Sequence, residues 1–151
     1  MERSIWYQQI DQALEAYREA EQILRPLSVQ NPRVHKYRQR LSAVLSNKAG
    51  AHYAVLQLAE AVAVADEASQ IAAKLAAEFP EPDYQHDHAM ALFLQATLQV
   101  KTTPARAREK LLQAEQILKP LVEEAPHYRK SLKMVMDWLQ RLKEQGATSD
   151  L

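Results

Sequence analysis

Ala114-Glu115-Gln116-Ile117-Leu118-Lys119-Pro120-Leu121, closed by Pro126, is a phrase that the chain spells three times. The first copy is Ala20-Glu21-Gln22-Ile23-Leu24-Arg25-Pro26-Leu27, closed by Pro32. The middle copy, Ala68-Ser69-Gln70-Ile71-Ala72-Ala73-Lys74-Leu75, is looser and is closed by Pro80. Counted from the alanine, positions 0, +3, +4 and +7 fall on one face of a helix. The alanine admits a neighbouring helix closely, and the aliphatic residues fill the groove beside it. The closing proline cannot continue the helix, so it marks the turn to the next one. The copies start at residues 20, 68 and 114, a period of the kind that builds helical arrays.

Composition supports an all-α chain. Among 151 residues there are two glycines and no cysteine. That is poor in turn-formers and leaves no disulfide or thiolate metal site. No run is long and apolar enough to span a membrane, and the N-terminus lacks a signal-peptide core. Formal net charge is zero, which argues against general nucleic-acid binding. The charges are nevertheless blocked. Residues 22–59 hold Arg25, Arg33, Lys36, Arg38, Arg40 and Lys48 and no acid, whereas residues 60–88 hold seven acids and only Lys74. Complementary solvated faces explain this, and so does a basic strip for an acidic peptide or phosphate.

Taken in order, the pattern predicts helices over about 4–29, 33–56, 58–79, 83–100, 104–125 and 127–145. Trp6 and Tyr7 are expected to cap the core, and Tyr37, Leu41, Val44, Leu45, Tyr53 and Leu56 to form the buried set of the second helix. Gly50 costs roughly 1 kcal/mol inside a helix, so a close helix approach is expected there. Asp83 is the expected N-cap of the fourth helix, and Thr103-Pro104 opens the fifth. Met90, Met134 and Met136 are expected in the core, and Gly146 is expected to end the last helix before a tail, 147–151.

These residues resemble the tetratricopeptide repeat. The Ala…Leu…Leu…Pro ending is similar to its second half, and Tyr37…Leu41…Asn47-Lys48-Ala49-Gly50 to its first, with Tyr84…His88 and Tyr128…Leu132 at the matching places in later copies. The long period resembles the variety appended to bacterial serine/threonine kinases and transcriptional regulators. The resemblance implies a right-handed antiparallel helical array over residues 1–146. It also implies a non-catalytic scaffold that binds a protein or peptide in a groove lined by the first helix of each pair. The chain opens on a second-type helix without its partner, which predicts a piece of a longer polypeptide. The cytoplasm fits best, and the periplasm fits a membrane-anchored parent.

Expected partner-binding residues follow from that groove. Arg33, Arg40 and Asn47 are spaced by seven, and Lys36 and Lys48 join them. Asp87 and Gln95 occupy the positions matching Arg40 and Lys48 on the next first-type helix. No catalytic, cofactor or metal residue is expected. His86 and His88 lie two apart and point to opposite sides of a helix, and no phosphate loop, GxSxG, HExxH or CxxC occurs. Two further readings remain: self-association through the first helix with Trp6, Tyr7 and Ile10, and anion or nucleic-acid binding through the basic strip 33–48.

Overall fold

A computed structural model describes residues 4–149, with backbone alone for 147–149. Residues 1–3 and 150–151, the latter part of the expected tail, lie outside the described residues. Every regular element described is helical: α1 (Ile5–Gln30), α2 (His35–Ala54), α3 (Leu58–Glu78), α4 (Pro82–Gln99), α5 (Pro104–Glu124), a 3-10 turn (Pro126–Tyr128) and α6 (Arg129–Ser149). None of the described helices is long and apolar enough to cross a membrane. Two compact units divide the chain, residues 1–75 and 76–151, with the boundary inside α3.

In the first unit α1 packs against α2. Leu41 and Leu45 of α2 meet Ala68 of α3, with Leu24, Val64 and Ile71 around them. The buried Ser42 hydroxyl donates to the Ala68 carbonyl at 3.0 Å. This satisfies a polar group that would otherwise be costly to bury. Buried Ala61, Ala65, Ala68 and Ala72 form one ridge of α3, four and three residues apart as a helix face requires.

In the second unit α5 packs against α4 and against α6. Its Ala107, Leu111, Ala114, Leu118 and Leu121 are buried with Ala89, Leu92 and Ala96 of α4 and Val135 of α6. Truncating one such leucine to alanine typically costs about 2–5 kcal/mol. The repeated phrase therefore does what its spacing predicts in α3 and α5. In α1 it does so only partly, because Ala20 is half-buried and Ile23 is 63% exposed.

Several expectations are corrected. Among the described residues, Trp6 and Tyr7 do not join the core: their rings meet edge to face at 5.0 Å and stay exposed. Met134 and Met136 are exposed, because Val135 between them takes the buried position. Tyr53 and Leu56 are exposed as well. Nothing approaches Gly50, whose missing side chain would point into open space. The N-cap of α4 is Glu81, with Pro82 at the first helical position, where its missing N–H is not needed. Gly146 does not end α6, which runs on to Ser149.

The end of α2 is formed without glycine. The Gln57 amide donates to the His52 carbonyl at 2.9 Å and the Leu56 amide to the Tyr53 carbonyl at 3.0 Å. This is the Schellman pattern, which needs a left-handed residue. Leu56 supplies it with φ 63°, a conformation that costs an L-residue roughly 1–2 kcal/mol.

Candidate binding surface

The two faces of α2 differ sharply. Leu41, Ser42, Leu45, Ala49 and His52 are buried, and the His52 ring is held by the Gln57 side chain, with Nδ1 2.6 Å from Oε1. On the other side Lys36, Arg40, Ala43, Asn47 and Gly50 are all exposed. At 100° per residue they lie within about 80° of arc, and Tyr53, 44% exposed, lies about 60° beyond Gly50. Ala43 and Gly50 make low steps between the longer side chains. Among the described residues, the side chains of Lys36, Arg40 and Asn47 make no hydrogen bond or ion pair.

The other expected residues are placed differently. Arg33 is exposed but lies in the turn before α2, since the helix begins at His35. It therefore does not share the helical stripe. Lys48 is half-buried and engaged: its ammonium donates to Glu21 at 2.8 Å. Glu21 also pairs with Arg25 at 2.6 Å, and Arg25 reaches Glu67 at 2.5 Å. Burial pushes the Glu21 carboxyl up, but hydrogen bonds from Lys48 and Arg25 outweigh it and hold the group below its usual value. The Arg25 guanidinium is shifted further up by Glu67 and Glu21. A cavity of about 320 Å³ lies here, lined by Arg18, Glu21, Gln22, Arg25 and Lys48. Its cations are largely neutralised from within, so it is a hub joining α1, α2 and α3.

Asp87 and Gln95 belong to the second unit. Asp87 is half-buried on α4. Gln95 is buried, and its Oε1 accepts from Lys110 of α5 at 3.4 Å. It faces the packed side of α4, not an exposed row.

A second polar cluster was not anticipated. The His86 ring stacks on Tyr128 at 4.0 Å and 13°, and its Nε2 lies 2.8 Å from the Ser131 hydroxyl. The Tyr128 hydroxyl donates to Asp83, and His127 lies against the same ring at 4.1 Å. Burial pushes His86 below its usual value against the pull of Asp87 and Asp83. His88 moves the same way through burial alone. Tyr128 is pushed up to about 12 by burial and by its bond to Asp83. The cluster fixes the α5–α6 connection to the start of α4. The sequence signal was the register match between Tyr84 and Tyr128, although their partners sit on other elements. Among the described residues no three metal-binding side chains converge.

No protein-family model matches this chain, and no curated protein matches it.

Proposed function

We propose that the chain is a non-catalytic interaction module, a tetratricopeptide-like right-handed helical array that holds an acidic peptide on the outer face of α2. The observation that carries this reading is the exposed stripe Lys36, Arg40, Ala43, Asn47, Gly50 and Tyr53, whose cations and amide have no partner within the described chain. The exposed Lys36 and Arg40 give the stripe its positive charge, which attracts anionic partners. Arg40 and Lys36 would pair with carboxylates, Arg40 in the bidentate manner. The Asn47 amide can both donate to and accept from a peptide backbone. Ala43 and Gly50 let that backbone approach closely, and the Tyr53 ring offers an apolar anchor beside it.

The resemblance adds the setting of a regulatory segment in a larger bacterial signalling protein. Selection from a random peptide library tests the reading. Enriched sequences should be acidic with an aliphatic or aromatic residue, and Lys36→Glu with Arg40→Glu should abolish their capture while the protein stays folded. Enrichment of basic or uncharged peptides, or equal capture by the double variant, would refute it.

A further inference from the structure

The repeated phrase brings a cavity with it in two of its copies. Beside Pro120 of α5 lies one of about 340 Å³, lined by Gln85, Gln116, Ile117, Pro120, Leu121 and Glu124. Beside Pro26 of α1 lies one of about 430 Å³, lined by Gln22, Arg25, Pro26, Val29 and Gln30. Gln116, Pro120 and Glu124 hold the repeat positions of Gln22, Pro26 and Gln30, and the middle copy has Lys74 in place of the proline. Each trio is spaced by four, so it forms one helical stripe with the proline at its centre. A proline inside a helix bends it and leaves the carbonyl four residues back without its donor. The scaffolds match, but the charges are opposite. The Pro26 cavity carries Arg25 and no acid, and the Pro120 cavity carries Glu124 and no cation.

Acceptors dominate the polar lining of the Pro120 cavity. Glu124 is exposed, and its side chain makes no hydrogen bond or ion pair among the described residues. The Gln85 side chain donates from Nε2 to the Ala76 carbonyl at 2.9 Å. That bond turns Oε1 the other way and leaves it unbonded among the described residues. The Gln116 carbonyl is the one that Pro120 deprives of its helical donor. Ile117, Pro120 and Leu121 supply an apolar wall. Helix α5 has no basic residue in its last turn, where the helix dipole favours a cation. All of these residues belong to the second unit.

We propose that this cavity binds a small aliphatic amine in its protonated form. A primary ammonium has three donors and no acceptor. Here it meets three acceptors: the Glu124 carboxylate, the Gln85 side-chain oxygen and the Gln116 carbonyl. The carbon stem lies along Ile117, Pro120 and Leu121. The cavity is at the small end of the range for ligand sites, roughly 300–1,000 Å³, which suits a short unbranched stem. Because Glu124 is exposed, its charge contributes modestly, and the affinity is in the millimolar range. The Pro26 cavity, with Arg25 and Gln30, repels the same ligand. The site lies apart from the α2 stripe and does not depend on it.

Titration of the full chain with n-pentylamine hydrochloride at neutral pH, followed in ¹⁵N correlation spectra, tests the assignment. Tetramethylammonium chloride holds the ionic strength constant and, having no N–H, serves as the control cation. The expected result is a saturable shift of the Ile117, Leu121 and Glu124 amides and of the Gln85 and Gln116 side-chain amides, with Gln22 to Gln30 unmoved. The uncharged n-pentanol should leave all of them in place. Glu124→Gln, at an exposed position, should weaken binding by about threefold or more, and Glu109→Gln, exposed near the other end of α5, should not. Pro120→Ala returns a donor to the Gln116 carbonyl and should weaken binding too. Shifts that never saturate, equal shifts with tetramethylammonium, equal binding by Glu124→Gln, or shifts centred beside Pro26 would overturn the proposal.

Discussion

Substituting leucine at the same place in two copies of the repeat should give two different results. Ala114 is fully buried, in one core cluster with Leu111, Leu118 and the α4 residues Ala89, Leu92 and Ala96. Leucine there adds three carbons to a packed helix contact, and overpacking of this kind costs typically about 1–3 kcal/mol. Leucine and alanine differ little in helix propensity, so the cost is one of packing. At about 2–4 °C per kcal/mol for a chain of this size, Ala114→Leu should lower the melting temperature by roughly 2–12 °C. Ala20 is its counterpart in α1, half-buried with an open side. Ala20→Leu has room to point outward, so its effect should stay within about 0.5 kcal/mol. Urea denaturation followed by far-UV circular dichroism, with both variants run beside the parent, gives the comparison. If Ala114→Leu is as stable as the parent, or if the two substitutions cost the same, the repeat alignment and the open face of α1 are both wrong.

Leu56→Gly should stabilise the chain by about 1 kcal/mol, since glycine holds the left-handed position without the steric penalty; a loss of stability in urea melts would contradict the Schellman end of α2. Glu21→Gln should cost about 1–2 kcal/mol at neutral pH, because it strips Lys48 and Arg25 of a half-buried partner. The Glu21 carboxyl is depressed on folding, so its contribution is present above about pH 4.5 and is lost as pH falls through the folded value. The gap between parent and variant should therefore close in acid. The folded state also depresses His86 and His88, so it prefers both rings neutral. Their contribution is complete above pH 6.5 and is lost as pH falls below it. His86→Gln with His88→Gln should flatten the stability profile between pH 7.5 and 5, as measured by urea midpoints, and an unchanged slope would count against the cluster as drawn.

Much of the helical order was legible because proline and capping residues punctuate it. Thr103-Pro104 opens α5, and Pro32 and Pro126 fall at the ends of α1 and α5. The end of α2 was only weakly marked, because a leucine stands where the turn calls for glycine, yet the break expected near 56–58 falls within two residues of Ala54. Gly50 misled in the opposite sense: it sits in a helix, on an exposed face, with no neighbour to accommodate. Periodicity placed Leu41 and Leu45 correctly but assigned Met136 and Tyr53 to the core, since it cannot say how many neighbours a helix has. Of the expected binding residues, Lys36, Arg40 and Asn47 keep their shared face. Lys48 and Gln95 left it because their partners, Glu21 and Lys110, lie on other helices, and such pairings are set by packing rather than by spacing.

Gly50 lies on the exposed face of α2 and is placed to report on binding there. With only two glycines in the chain, its backbone amide is readily resolved in a ¹⁵N correlation spectrum. Titration with an acidic peptide chosen by library selection should shift Gly50 together with Lys36, Arg40, Ala43, Asn47 and Tyr53, and leave Gly146 and α5 unmoved. Saturable binding that shifts other residues while Gly50 and its neighbours stay fixed would contradict the account.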